Sequence, residues 1–363
     1  MSFMTRFRVF LTKKPLAFLL LASPFTLAAQ LLGWSPVAVF GLAALGIIPL
    51  ASTIGDATEN LAFYTGSRVG ALLNATLGNA AELIITTAAV RAGLLELVKA
   101  SITGSIIGNL LLVLGFAMAV GGIRHGTQKF NKKVAGRNAI LLVLAVTTLI
   151  IPSVFSQSIS AAGSSALEAL SVGVAIIMLA LYGLGLFDSF RARRNQDNPL
   201  SFIVPETERP DWSVGQCVLI LVVSTLGVVW LSEALVLVAE QVIKGLGISE
   251  FFLGIILVPL IGNVAEHLVA VQMALKDKMD LSTDIALSSS LQIALFVAPL
   301  LVFISLAFGH PMHLIFNRFE LLALLSSVVI SVLVSSDGES TWLEGAGLLA
   351  IYLILGLAFF LMP

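Results

Sequence analysis

The chain has 363 residues, 58% of them hydrophobic and only 11% charged, with a mean hydropathy of +1.02 and a formal net charge of −1. Soluble domains carry about 25% charged residues, so a soluble globular protein is excluded, and the near-neutral balance leaves no electrostatic footprint for nucleic acid. One cysteine, Cys217, allows neither an internal disulfide nor a cysteine metal cluster.

A helix needs about 20 apolar residues to cross a bilayer. Eleven stretches qualify in chain order: 15–32, 37–65, 69–91, 94–121, 138–155, 166–186, 213–242, 248–274, 281–308, 317–334 and 341–361. The first follows Arg6, Arg8, Lys13 and Lys14 in the manner of a signal peptide. No small-residue cleavage site clearly follows and the next span comes at once, so it reads as the first span. Several stretches exceed one crossing and hold Gly, Pro or Ser midway, which predicts tilted or broken helices. The expected fold is therefore an all-α integral membrane protein with eleven transmembrane helices.

Cytoplasmic loops collect Lys and Arg. With the N-terminus in the cytoplasm and the C-terminus outside, only Arg91, Lys99, Lys244 and Arg318 of the 20 Lys and Arg fall on the outer side. A missed or invented span would scramble that split.

The third span carries Gly78-Asn79-Ala80-Ala81-Glu82 and the eighth carries Gly262-Asn263-Val264-Ala265-Glu266. Five spans apart, the two motifs cross in opposite directions. The expected organisation is an N-terminal segment and first span (1–36), a first repeat of spans 2–6 (37–186), a polar cytoplasmic linker (187–212), and a second, inverted repeat of spans 7–11 (213–363). Inverted repeats with discontinuous helices are a common transporter architecture, with the binding site at mid-membrane.

A carboxylate at the bilayer centre costs about 2.5–3.5 kcal/mol on insertion scales, a burden that a hydrophobic anchor has no need to carry twice. Asn and Glu at i and i+3 share a helix face. Two facing copies, Asn79 with Glu82 and Asn263 with Glu266, would offer four carboxylate and two amide oxygens, and calcium takes six to eight oxygens in flexible geometry. Protons and a cation can each neutralise the same oxygens, so the two compete, which is a sufficient basis for exchange. Glu82 and Glu266 could instead be packing residues satisfied by their neighbours, but the repeated motif speaks against that for both. His267, opposite Leu83 of the first copy, suits a proton relay or a hydrogen bond between helices. Span 4 runs Ser101, Thr103, Ser105, Asn109 and span 9 runs Ser288, Ser289, Ser290, Gln292. These supply hydroxyls and amides for a polar path or for plain helix packing. Asp56, Glu59, Glu233 and Glu240 are further embedded acids, suited to a relay or to an interfacial position.

On these residues the chain resembles the calcium/proton exchangers of the cation/proton exchanger family, within the calcium/cation antiporter superfamily. The stretches LLNATLGNAAELIITTAAVRAGL and KASITGSIIGNLLLVLGFAMAVGG match its first repeat, and VPLIGNVAEHLVAV and LSSSLQIALFVAP match its second. The likeness covers essentially the whole chain, including the span before the repeats. It implies a cation site at Glu82 and Glu266 with Asn79 and Asn263 beside them. His267 then falls on the histidine next to the second glutamate, Gln292 and Asn109 on corresponding amides, and Ser105 and Ser289 close by. It implies that spans 2 and 7 slide past the core as Ca2+ is exported from the cytosol in exchange for H+ by alternating access. No resident cofactor is implied, Ca2+ and H+ being cargo; the partners are the bilayer and these ions, and a homo-oligomer is compatible with the sequence. The absence of a long regulatory N-terminal extension and of an acidic run in the linker, which holds only Glu206, Glu208 and Asp211, fits a compact prokaryotic form at the plasma membrane.

The nearest rival is a Na+/Ca2+ exchanger, whose relatives carry Ser/Thr-rich motifs with Pro before the acid and an Asp in one copy. Neither feature stands here. A broader divalent (Mn2+, Cd2+)/H+ antiporter would use the same oxygens. A passive channel could also use a mid-membrane acid pair. An intramembrane metalloprotease lacks any His-Glu-x-x-His.

Overall fold

The computed structural model describes residues 15–160, 164–192, 210 and 212–362. Arg6, Arg8, Lys13 and Lys14, and most of the 187–212 linker with Glu206, Glu208 and Asp211, lie outside them.

Helices dominate. After a 3-10 turn at Pro15–Leu21 come α1 (Ala22–Leu31) and the long α2 (Pro36–Leu77). Ser35 caps α2 by accepting from Ala38 N, and Pro36, whose missing N–H is no loss in a first turn, starts it. Gly66, at φ 80° and ψ 168°, interrupts α2. A turn at Gly78–Asn79 separates it from α3 (Ala80–Arg91), so the predicted third span is two helical pieces rather than one rod. Next are α4 (Leu95–Ile107), a π-helical segment Gly108–Val113 and α5 (Leu114–His125). α6 (Lys132–Ser160) and α7 (Ser164–Ala192) follow, then α8 (Val214–Leu246), opened by a Ser213–Gln216 capping box.

The remainder repeats the device of a helix with a π segment. A π turn at Leu253–Leu257 leads into α9 (Val258–Leu275), and α10 (Met279–Gln292) runs through a second, Ile293–Val297, into α11 (Ala298–Ala307). α12 (Arg318–Val334) and α13 (Trp342–Leu361) close the chain, each opened by a capping box. The one departure from an all-helical chain among the described residues is a two-residue antiparallel pairing of β1 (Gln128–Lys129) with β2 (Glu339–Ser340).

Eight of these helices are long and apolar enough to cross a bilayer. The other predicted spans are helical but shorter or broken: 15–32 folds as the 3-10 turn with α1, 69–91 is split at Gly78–Asn79, and 317–334 is the 17-residue α12. Large apolar side chains face outward, among them Leu219, Leu226 and Leu237 of α8 and Leu353, Ile354 and Leu357 of α13. In water this would be a liability; in hydrocarbon it is the solvated state, and the protein is an integral membrane protein.

The chain forms two compact units, Met1–Ala88 with Val204–Gly247, and Ala89–Ile203 with Ile248–Pro363. In the first, α2 packs along α8, with α1 against α2. Gly46 faces Leu231 and Gly227 faces Leu50, so each helix gives the other a groove for a leucine. In the second unit the helix Leu95–His125 is the most enclosed span. Ile102, Ile106, Leu110, Leu114 and Met118 are fully buried along it. Its polar residues are therefore turned to protein and not to lipid.

Candidate functional site

The first motif lies in the first unit. Gly78 and Asn79 form the turn before α3, which places Glu82 in the first turn of that helix, where unpaired backbone N–H groups and the helix dipole favour an anion. Both Asn79 and Glu82 are 2% exposed. Thr86 Oγ1 donates to the Glu82 carbonyl at 2.7 Å, a back-bond of the kind that bends helices.

The second motif lies in the second unit, and its setting differs. Gly262 and Asn263 are inside α9, and the irregularity sits upstream, in the π turn Leu253–Leu257. Glu266 is half-buried and accepts from Ser289 Oγ of α10 at 2.6 Å. Asn263 Nδ2 donates to Ser105 Oγ of α4 at 3.2 Å, both residues buried. The polar stretches of spans 4 and 9 thus converge on the second motif from opposite chain halves. Ser105 and Ser289 touch it directly.

Asn109 is the second residue of the π segment Gly108–Val113, and Gln292 immediately precedes the π segment Ile293–Val297; both are buried. A π turn widens the helix and shifts one carbonyl out of the regular ladder, and such turns gather at functional sites. The sequence predicted broken helices through Gly, Pro and Ser; insertion of a residue into a continuous helix leaves no such mark. Asn109 Nδ2 and His267 Nε2 are buried with no hydrogen-bond partner among the described residues.

The four acids proposed for a relay all lie in the first unit, on α2 and α8. Asp56 is half-buried, while Glu59, Glu233 and Glu240 are exposed, and Glu240 stands 4.0 Å from Lys244 one turn on. Two embedded acids escaped the sequence reading. Glu320, 1% exposed, accepts from Asn317 N at 2.7 Å and from Thr103 Oγ1 at 3.4 Å, closing the capping box of α12. Its signal was present as Asn317-x-x-Glu320, and its role is structural. Asp284, on α10 one turn before Ser288, accepts from Asn138 Nδ2 of α6 at 2.9 Å.

The model for the sodium/calcium exchanger protein family matches residues 35–190 and 217–361. A Ca2+/H+ antiporter of Aphanothece halophytica is 45% identical over 357 residues, 95% of this chain and 96% of that one. The Ca2+/H+ antiporter ChaA of Bacillus subtilis is 42% identical over 349 residues, 95% of this chain and 99% of its own length. Among solved structures, the Ca2+/H+ antiporter YfkE aligns at TM-score 0.84 and 40% identity, covering 96% of this chain and 100% of that one. The H+/Ca2+ exchanger CAX, at 14% identity and TM-score 0.68 over 96% of this chain and 92% of that one, shares the fold. The chain belongs to the sodium/calcium exchanger protein family, in the calcium/cation antiporter superfamily.

Proposed function

We propose that the chain is a Ca2+/H+ antiporter of the prokaryotic plasma membrane, exporting cytosolic Ca2+ by alternating access while cation and protons compete for Glu82 and Glu266. The observation that carries this is the repeated Gly-Asn-x-x-Glu motif, each copy on a helix beside an irregular backbone segment, the second with its carboxylate already engaged by a hydroxyl. Asn79 and Asn263 complete the cation's oxygens, and the Ca2+ and H+ are cargo with no resident cofactor. Relatives named Ca2+/H+ antiporter over nearly the full length support the same cargo.

Eleven spans with an inner N-terminus and inverted repeats remain part of this proposal, and contacts within the second unit support the alternation of spans from Leu97 to Ser340. Segments expected on the cytoplasmic side are knit together: β1 pairs with β2, Gln128 Nε2 donates to Asp277 at 2.8 Å, and His125 Nε2 lies 2.9 Å from the Leu275 carbonyl. Segments expected outside are likewise joined: Lys99 Nζ donates to the Ile315 carbonyl at 3.1 Å, and Leu97 N to Glu250 at 3.2 Å. An error of one span between Leu97 and Glu339 would break these groupings.

The test is Ca2+ uptake into inverted vesicles made acidic inside. Wild type should accumulate Ca2+ uphill, and Glu82→Gln and Glu266→Gln should each abolish accumulation while inserting normally. Uptake that follows a sodium gradient and ignores pH would move the chain to the Na+/Ca2+ reading, and competition by Mn2+ and Cd2+ would set the breadth of cargo.

A further inference from the structure

A cavity of about 240 Å3 opens between the first turns of α6 and α10, within the second unit. Its polar lining is Asn131, Asn138, Asp280, Thr283 and Asp284. Asp280 and Asp284 stand four residues apart on α10, one turn, where like charges repel. Each holds one oxygen against an amide: Asp280 Oδ1 accepts from Asn131 N, and Asp284 Oδ1 from Asn138 Nδ2. Neither makes an ion pair among the described residues. Arg137 is engaged by Asp188 at 3.3 Å, and its charge also reaches Asp284. Beside this pair, Thr283 lines the same cavity at 1% exposure, and its Oγ1 has no hydrogen-bond partner among the described residues.

A buried hydroxyl without a partner is expensive, and two acids one helical turn apart repel each other. One ligand answers both: a cation with hard-oxygen preference, taking the second oxygens of Asp280 and Asp284 and the Thr283 hydroxyl, with water filling the rest of a six- to eight-oxygen shell. We infer that this cavity is a second divalent-cation site, built by Asp280, Thr283 and Asp284 and separate from the glutamate pair. Its placement on the cytoplasmic side rests on the orientation proposed above; its capacity to bind does not. On that side it would hold Ca2+ at the mouth of the protein before transport. Exposed Asp280 faces bulk solvent, and half-buried Asp284 lies one turn deeper toward Ser288 and Ser289.

Mn2+ titration of the detergent-solubilised full chain, with bound and free ion counted by electron paramagnetic resonance, tests this. Wild type should bind one Mn2+ more than the glutamate pair accounts for, so E82Q/E266Q should retain one ion per chain, displaced by Ca2+. In that background and in wild type, Asp280→Asn should weaken this ion at least tenfold, Asp284→Asn as much or more, and Thr283→Ala several-fold. Asp280 is exposed, so its substitution leaves the fold intact. Binding that Asp280→Asn does not move, or no ion remaining in a folded E82Q/E266Q protein, overturns the site. Exchange retained by E82Q/E266Q would overturn the transport pair instead, and leaves the Mn2+ count as readable as before.

Discussion

Ser289 Oγ donates to Glu266 Oε2 at 2.6 Å, tying α10 to the carboxylate of α9. The distance is that of a charge-assisted bond, worth about 1.5–3 kcal/mol where one partner is ionised. It fixes one of the oxygens that a cation would meet. Ser289→Ala should therefore raise the Ca2+ concentration for half-maximal exchange by roughly tenfold while leaving some exchange, and Ser289→Thr should restore most of it. Vesicle uptake against external Ca2+ measures both. An alanine variant indistinguishable from wild type would mean the bond does not act on the cation.

Asn263 and Ser105 form the second tie, between α9 and α4, at 3.2 Å with both side chains buried. Removing either partner breaks this bond at a buried site, at about 1–3 kcal/mol, whereas the second removal has no such bond left to break. Asn263→Ala and Ser105→Ala should thus be non-additive. In thermal unfolding in detergent, the double variant should be less destabilised than the sum of the singles by about 0.5–3 kcal/mol. Additive losses would show that the contact is not formed.

Much of this arrangement was legible in the sequence, for physical reasons that differ by residue. Glu82 and Glu266 stood out because charge inside an apolar run is rare. Ser105, Asn109, Ser289 and Gln292 stood out as polar interruptions, and the structure buries all four. The two motifs read as equivalent, yet Gly78–Asn79 ends a helix while Gly262–Asn263 continues one. The same four residue types tolerate both states, and the neighbouring backbone decides. The π segments were illegible, because they change hydrogen-bond spacing without requiring any particular side chain. Asp284 was passed over because it lies near a predicted span end, where an acid is unremarkable until Asn138 and Thr283 are seen around it.

Gly104 shows what the close approach of α4 to the π turn Leu253–Leu257 demands. A Cβ there would lie 2.0 Å from the Ile255 carbonyl oxygen, and one on Gly254 would lie 2.8 Å from the Leu97 carbonyl oxygen. The obstacles are backbone and, at Gly254, also the Ala100 Cβ, none of which can rotate aside. Gly104→Ala and Gly254→Ala should each destabilise by about 1–3 kcal/mol or more, read as a lower melting temperature in detergent. Gly108→Ala, four residues along with open space at its Cβ position, is the matched control and should be tolerated. Equal stability of Gly104→Ala and Gly108→Ala would contradict the packing.

Gly66 isolates a different cost. A Cβ at this position meets nothing within 4 Å, but φ 80° with ψ 168° is a region open essentially to glycine alone. Any loss on Gly66→Ala must then come from the backbone and not from a clash. Gly55, on the same helix with equally open space, has helical geometry, where alanine is favoured over glycine by about 0.5–1 kcal/mol. The two substitutions should therefore move stability in opposite directions: Gly66→Ala down by about 1–3 kcal/mol, Gly55→Ala up or unchanged. Because Gly66 breaks α2 between the second and third predicted spans, upstream of the first motif, its alanine variant should also lose transport beyond what its lowered amount of folded protein explains. Uptake normalised to folded protein from size-exclusion chromatography separates the two effects, and a normalised rate equal to wild type would confine Gly66 to a purely structural role.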